Sequence, residues 1–160
     1  MYNVNEFNLQ NRGGIMIKAI QYFNYSNALE ALEFYEKNFD AVINSRVLAS
    51  DPMFADALDE MGMSQEDAET FLMNAEFEIL GQKFMASSTW EQKEIDNSGA
   101  ILAFTFDINN SDELEQVKQF YEKAIEAGCR ADMEAGPTEW TEYFASFKDP
   151  YGINWMISGE

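Results

Sequence analysis

With 160 residues, 46% of them hydrophobic, the chain can bury a substantial core without disulfides or metals, and its longest apolar runs fall far short of the roughly 20 residues that cross a bilayer. A net charge of −19 excludes nucleic acid and anionic lipid as partners, because binding either one needs clustered Lys and Arg. No His occurs and Cys129 stands alone, which excludes Ser-His and Cys-His nucleophile pairs, His-containing metal sites and an internal disulfide. No charged leader precedes an apolar signal core, so a cytoplasmic location is expected.

In chain order, residues 1–15 are polar, aperiodic and rich in Asn, and read as an extension. Residues 17–25 read as a strand. Asn27 followed three residues later by Glu30 forms a capping-box-like start for a helix that reaches Phe39, and residues 41–49 return as a strand. Pro52 opens a short helix that Gly62 can end, and Ser64 with Asp67 opens a further helical turn. This stretch, about 51–69, is a Met-rich insertion that offers a lid, a dimer contact or plain packing over a sheet edge. Residues 71–79 and 83–88 form a hairpin about Leu80-Gly81-Gln82. A polar linker then leads to a strand over 101–108, a helix over 111–127 ended by Gly128, and a strand over 130–135. Strands over 143–148 and 153–158 flank the turn Asp149-Pro150-Tyr151-Gly152. Cys129, after Gly128, is expected to be a small residue tucked into the fold.

Phe-Tyr-Glu-Lys occurs at residues 34–37 and again at 120–123, a common offset of 86 residues (120 − 34). At that offset Ala28, Ala31, Tyr35 and Phe39 correspond to Leu114, Val117, Tyr121 and Ile125, one apolar helical face in each half. The chain therefore divides into two βαβββ modules of α+β class, residues 16–90 and 99–160, with the insertion only in the first.

The paired modules, Ala31-Leu32-Glu33-Phe34-Tyr35-Glu36-Lys37, and Asp149-Pro150-Tyr151-Gly152 running into Asn154-Trp155-Met156-Ile157 resemble the vicinal oxygen chelate superfamily. This is the fold of glyoxalases, bleomycin-resistance proteins and extradiol dioxygenases. Tyr22-Phe23-Asn24, Met73-Asn74-Ala75-Glu76 and Phe84-Met85-Ala86-Ser87 look most like its PhnB-like branch. The resemblance implies curled mixed sheets forming a cleft, with up to four metal ligands from the first and last strands of each module. Carried onto this chain, those places fall near Ile20 or Gln21, at Met85, near Ala100 and at Met156. Met, Ala and Met offer no hard donor to a divalent cation, and Gln21 alone supplies one carbonyl oxygen. No metal and no cofactor are therefore expected. PhnB-like proteins often carry a His where this chain has Asn74, whose amide either orients a ligand or bonds within the sheet.

Glu76 and Glu78 alternate with Phe77 and Ile79, so both carboxylates share one side of a strand. If that side is a cleft, Glu76 is a candidate general base; otherwise it belongs to an exposed sheet. Trp90, Trp140, Tyr143 and Phe144 are candidates to wall a pocket, with Trp140 at the cleft mouth, whereas Trp155 should point into the core. The expected ligand pocket is thus Gln21, Asn74, Met85, Ala100, Trp140 and Met156.

The reading that follows is a homodimeric, metal-free protein that binds a small organic molecule, cationic ones included. The alternatives are a metal-dependent lyase, isomerase or dioxygenase, and a dimer of the fold with no ligand. Proteins of this branch are sometimes labelled 3-demethylubiquinone methyltransferases. That chemistry calls for a glycine-rich nucleotide loop, and none occurs.

Overall fold

The computed structural model describes residues 18–90 and 94–160. The extension over residues 1–15 and the first residue of the expected opening strand lie outside the described residues. The first half runs β1 (Gln21–Tyr25), α1 (Ala28–Asn38), β2 (Val42–Leu48), α2 (Gln65–Thr70), β3 (Leu72–Ile79) and β4 (Gln82–Ser88). The second runs β5 (Ile101–Phe106), α3 (Ser111–Glu126), β6 (Arg130–Gly136), β7 (Phe144–Lys148) and β8 (Asn154–Gly159). Apart from α2 and the turns before it, the order is the same βαβββ twice.

Local chemistry accounts for the boundaries. Asn27 caps α1 through its side-chain oxygen, which accepts from the Glu30 amide at 3.2 Å, and its side-chain amide donates to the Glu30 carboxylate, so the two residues expected to form a capping box do meet, though side chain to side chain and not through the Asn27 backbone N–H. Asn110 caps α3 by accepting from the amides of Asp112 and Glu113. The Leu80-Gly81 turn has φ of +50° and +71°, the two left-handed residues that a tight hairpin requires. The helix expected from Pro52 to Gly62 shrinks to one 3-10 turn, Pro52–Phe54, followed by hydrogen-bonded turns. This segment buries no side chain fully: Phe54, Ala57, Leu58 and Met61 are only half-buried and Met53 is 74% exposed, too little packing for a short helix to repay its nucleation.

The strands form two four-stranded sheets, ordered β1-β4-β3-β2 and β5-β8-β7-β6. In each, the first strand runs parallel to the last and the remaining pairs are antiparallel. Each helix thus crosses its whole sheet to link strands at opposite edges, covering one face. Those covered faces meet. Phe23, Phe77 and Phe84 from the first sheet, and Phe104, Phe147 and Trp155 from the second, are buried together with Tyr35 of α1, Phe39 at its C-cap and Phe120 of α3. Trp155 lies at the centre, with ring centroids 5.7 Å from Phe39, 5.8 Å from Phe104 and 6.2 Å from Phe23. Each such aromatic stabilises the fold by about 1.5–3 kcal/mol through burial alone.

One polar group sits in this seam. Asp149 is 4% exposed, and its carboxylate accepts from the Tyr35 hydroxyl at 2.6 Å, the Trp155 indole at 2.9 Å and the amides of Tyr151 and Ile153. Burial raises its pKa above the ordinary carboxylate value, while these donors pull the other way. Tyr35 and Tyr25, whose hydroxyls are 2.9 Å apart, have phenol pKa values raised by the same burial. The Cys129 thiol is likewise pushed up to about 12 and is structural.

Candidate functional site

Packing claims one face of each sheet and leaves the other outside. Because side chains alternate along a strand, the outer face can be read from the register. Tyr22 is opposite Met85, Met85 opposite Glu76, and Glu76 opposite Ser45, one row across the first sheet. A parallel row contains Asn24 opposite Ser87, with a 3.2 Å hydrogen bond from the Ser87 hydroxyl to the Asn24 carbonyl, and Asn74 opposite Val47. The corresponding row of the second sheet is Ala103, Met156, Ser146 and Met133.

This geometry divides the six expected pocket residues into three groups. Asn74 and Met85 share the outer face of the first sheet. Met156 lies on the outer face of the second, one row from Phe144, on which the 65%-exposed Trp140 rests edge-on at 5.6 Å. Gln21 and Ala100 fall on neither face. Gln21 is paired with Phe84, in phase with the buried Phe23, and Ala100 precedes β5; both line a crevice of about 50 Å³ between the halves, room for no more than a few waters. The residues that do stand beside Met85 and Met156 are Tyr22 and Ala103. Counting from turns and helices falls one residue short at Tyr22 and three short at Ala103, and an odd slip exchanges the faces. The two Met residues also do not share an enclosed cleft within one chain, because both outer faces point away from the aromatic seam.

Glu76 and Glu78 do lie on the outer face. Glu76 is bound to Lys83 across the hairpin at 2.8 Å, and Glu78 accepts from the Asn44 amide at 3.1 Å. The Lys83 ammonium is held above its ordinary pKa, chiefly by its hydrogen bond to Glu76. A carboxylate so engaged is a poor candidate for taking a substrate proton. Among the described residues no group of three or more His, Cys, Asp or Glu side chains converges as a metal site would require. Apart from the carboxylates of Glu76 and Glu78, already engaged by Lys83 and Asn44, the outer-face donors are thioethers, hydroxyls and amides, which do not fit a hard divalent cation.

Trp90 contributes more than the sequence suggested. It is 56% exposed, rests on Phe71 at 4.8 Å, and with Tyr22, Asn24, Ser87, Glu94 and Ile95 borders a groove of about 620 Å³ on the first outer face. The signal was its position: it follows β4 by two residues, at the end where parallel β1 places Asn24. Tyr143, by contrast, turns inward against Phe106, while Phe144 is on the outer face.

Two four-stranded mixed sheets built from a repeated βαβββ unit, each with an outer face, define a class of protein. The chain belongs to the Glyoxalase/Bleomycin resistance protein/Dioxygenase superfamily, whose family model matches residues 20–157. Its fold is similar to that of a PhnB protein from Bacillus cereus (19% identity over 90% of this chain and 100% of that one, TM-score 0.65). It is also similar to protein PA1353 from Pseudomonas aeruginosa (19% identity, 91% and 98% covered, TM-score 0.67). A third likeness is to the fosfomycin resistance protein FosX from Listeria monocytogenes, complexed with Mn(II) and sulfate (12% identity, 91% of each chain, TM-score 0.55). No curated protein matches the chain in sequence.

Proposed function

We propose that this protein binds a small neutral or cationic organic molecule on its outer sheet faces, without a catalytic metal, as a homodimer in which a second copy supplies the opposite wall. The observation that carries this reading is the donor set in the central rows. Tyr22, Met85, Ala103 and Met156 occupy the first-strand and last-strand places, where the fold would position ligands, and the phenol oxygen of Tyr22 is the single hard donor among them, too few to hold a divalent cation. The FosX neighbour demonstrates that the fold can hold Mn(II); the residues here suit an organic ligand instead.

The homodimer follows from two features. β1 and β5 each occupy a sheet edge, and large apolar side chains, Ile101 at 62% exposure among them, remain uncovered beside them. A second copy that laid its outer face over this one would cover both and create an enclosed site. The methyltransferase name carried by the Bacillus cereus neighbour is not adopted, because no glycine-rich loop joins a strand to a helix in this sequence.

Native mass measurement and elemental analysis of protein purified without chelator test the proposal directly. A metal-free dimer is expected. Stoichiometric metal would overturn the binding reading, and a monomer at micromolar concentration in moderate salt would overturn the shared site.

A further inference from the structure

The Met-rich insertion and Trp90 together form a second groove, which adjoins the one on the first outer face and shares Trp90 and Ser88 with it. It has a volume of about 410 Å³, within the range of about 300–1,000 Å³ usual for small-molecule sites, and Met61, Met63, Phe71, Thr70, Asp67 and Trp90 line it. One face of the Trp90 ring is supported by Phe71, tilted by 46°, and the ring remains more than half exposed. An indole left open to solvent at that level, on the wall of a cavity, is an uncommon use of the most costly residue to leave uncovered.

The electrostatics of the groove have one sign. Residues 51–70 contain many Asp and Glu and no Lys or Arg, and Asp67 is the charged side chain among the described lining residues. Asp67 is already hydrogen-bonded to the Ser64 hydroxyl at 2.6 Å, which fixes the carboxylate without neutralising it. The negative face of an indole, two polarisable thioethers and a fixed carboxylate are together the surroundings that favour a large, weakly hydrated cation over water. A phosphate or carboxylate ligand would meet repulsion, and a metal ion would find a single carboxylate, the remaining oxygens being neutral hydroxyls and an amide.

We propose that this groove is a binding site for an organic cation of the quaternary-ammonium class, with the charged head over Trp90 and Asp67 and the apolar body against Met61 and Met63. Calorimetric titration of the full chain in about 0.15 M salt, where diffuse attraction to the acidic surface is screened beyond about 8 Å, tests it. The probes are benzyltrimethylammonium and its uncharged carbon isostere neopentylbenzene. Saturable 1:1 binding of the cation, at least tenfold tighter than the isostere, is expected. Trp90→Phe should weaken it severalfold while keeping the contact with Phe71, and Asp67→Asn, which leaves the Ser64 cap in place, should weaken it by a similar factor. Equal binding of the two probes, absence of saturation, or full affinity in both variants would each overturn the inference. Loss of binding in Met85→Arg with affinity kept in Asp67→Asn would overturn it too, by placing the cation on the outer sheet face. That last outcome would support the function proposed above, so the two readings can fail separately.

Discussion

The two halves of the molecule repeat one topology but diverge in a particular way. Their inner faces are alike: Phe23, Phe77 and Phe84 face Phe104, Phe147 and Trp155 across a common seam. Their outer faces are not. The first presents Tyr22, Asn24, Met85, Ser87 and Asn74 with the carboxylates Glu76 and Glu78, whereas the second presents Ala103, Thr105, Met156, Ser158 and Ser146 with the cation Lys148. Even the repeated Phe-Tyr-Glu-Lys segment is used differently: α1 buries Tyr35, whereas α3 buries Phe120 and leaves Tyr121 half-buried. Only Tyr35 has a buried carboxylate to reach. A packed interior tolerates little change in volume, while a face outside the core is free to acquire different chemistry in each copy.

The sharpest way to break this contrast is to remove the same residue type from both environments. Trp155→Ala should cost about 3–5 kcal/mol, as core aromatic truncations do. Trp140→Ala, on the outer side, should stay within about 0.5 kcal/mol. Equal losses in denaturant titration would show that the proposed second copy buries Trp140 as completely as the seam buries Trp155, and not only at the rim of the shared site.

The outer face can also be given the chemistry it lacks. Tyr22→His with Met85→Glu puts two donors in one row with Glu76 and should create a partial divalent site. Saturation to a hundredfold above its dissociation constant would stabilise the variant by about 2.7 kcal/mol. The native chain should show no rise in melting temperature with Zn²⁺, Ni²⁺ or Mn²⁺. A rise at low micromolar metal that Glu76→Gln abolishes would restore the metal-dependent reading.

A third test concerns the seam. Because burial raises the Asp149 pKa, the folded state retains a proton that the unfolded chain releases between about pH 3.9 and the higher folded value. The contribution of this group to stability is therefore greatest at low pH and is lost as pH rises through that window. The stability difference between the native protein and Asp149→Asn should grow as pH falls, by at most about 1.4 kcal/mol per unit. A flat difference would mean that the four donors balance desolvation, and a slope of opposite sign that they outweigh it. The smallest effect belongs to the ion pair between Lys123 and Asp40, which joins the halves at the surface. Lys123→Ala should cost about 0.5 kcal/mol and become neutral in high salt.

The sequence by itself determined the repeated βαβββ plan, the caps at Asn27 and the turn glycines, the core position of Trp155 and the superfamily. These depend on local rules: side-chain period, capping geometry and left-handed turns are written within a few residues of each other. It also showed that Glu76 and Glu78 share a side, since alternation along a strand needs no partner. What it did not contain was which residues lie opposite one another. Strand register placed Tyr22 and Ala103 where Gln21 and Ala100 were expected, and it tied Glu76 to Lys83. Tertiary packing alone decided that Met85 and Met156 face away from each other, because two sheets with aromatic faces bury more apolar surface against a common seam than either could against solvent. It decided too that Trp90, in a polar linker, stands over a groove made by an insertion some twenty residues upstream in the chain. Contacts of that kind arise when distant segments meet, and no window of sequence holds both.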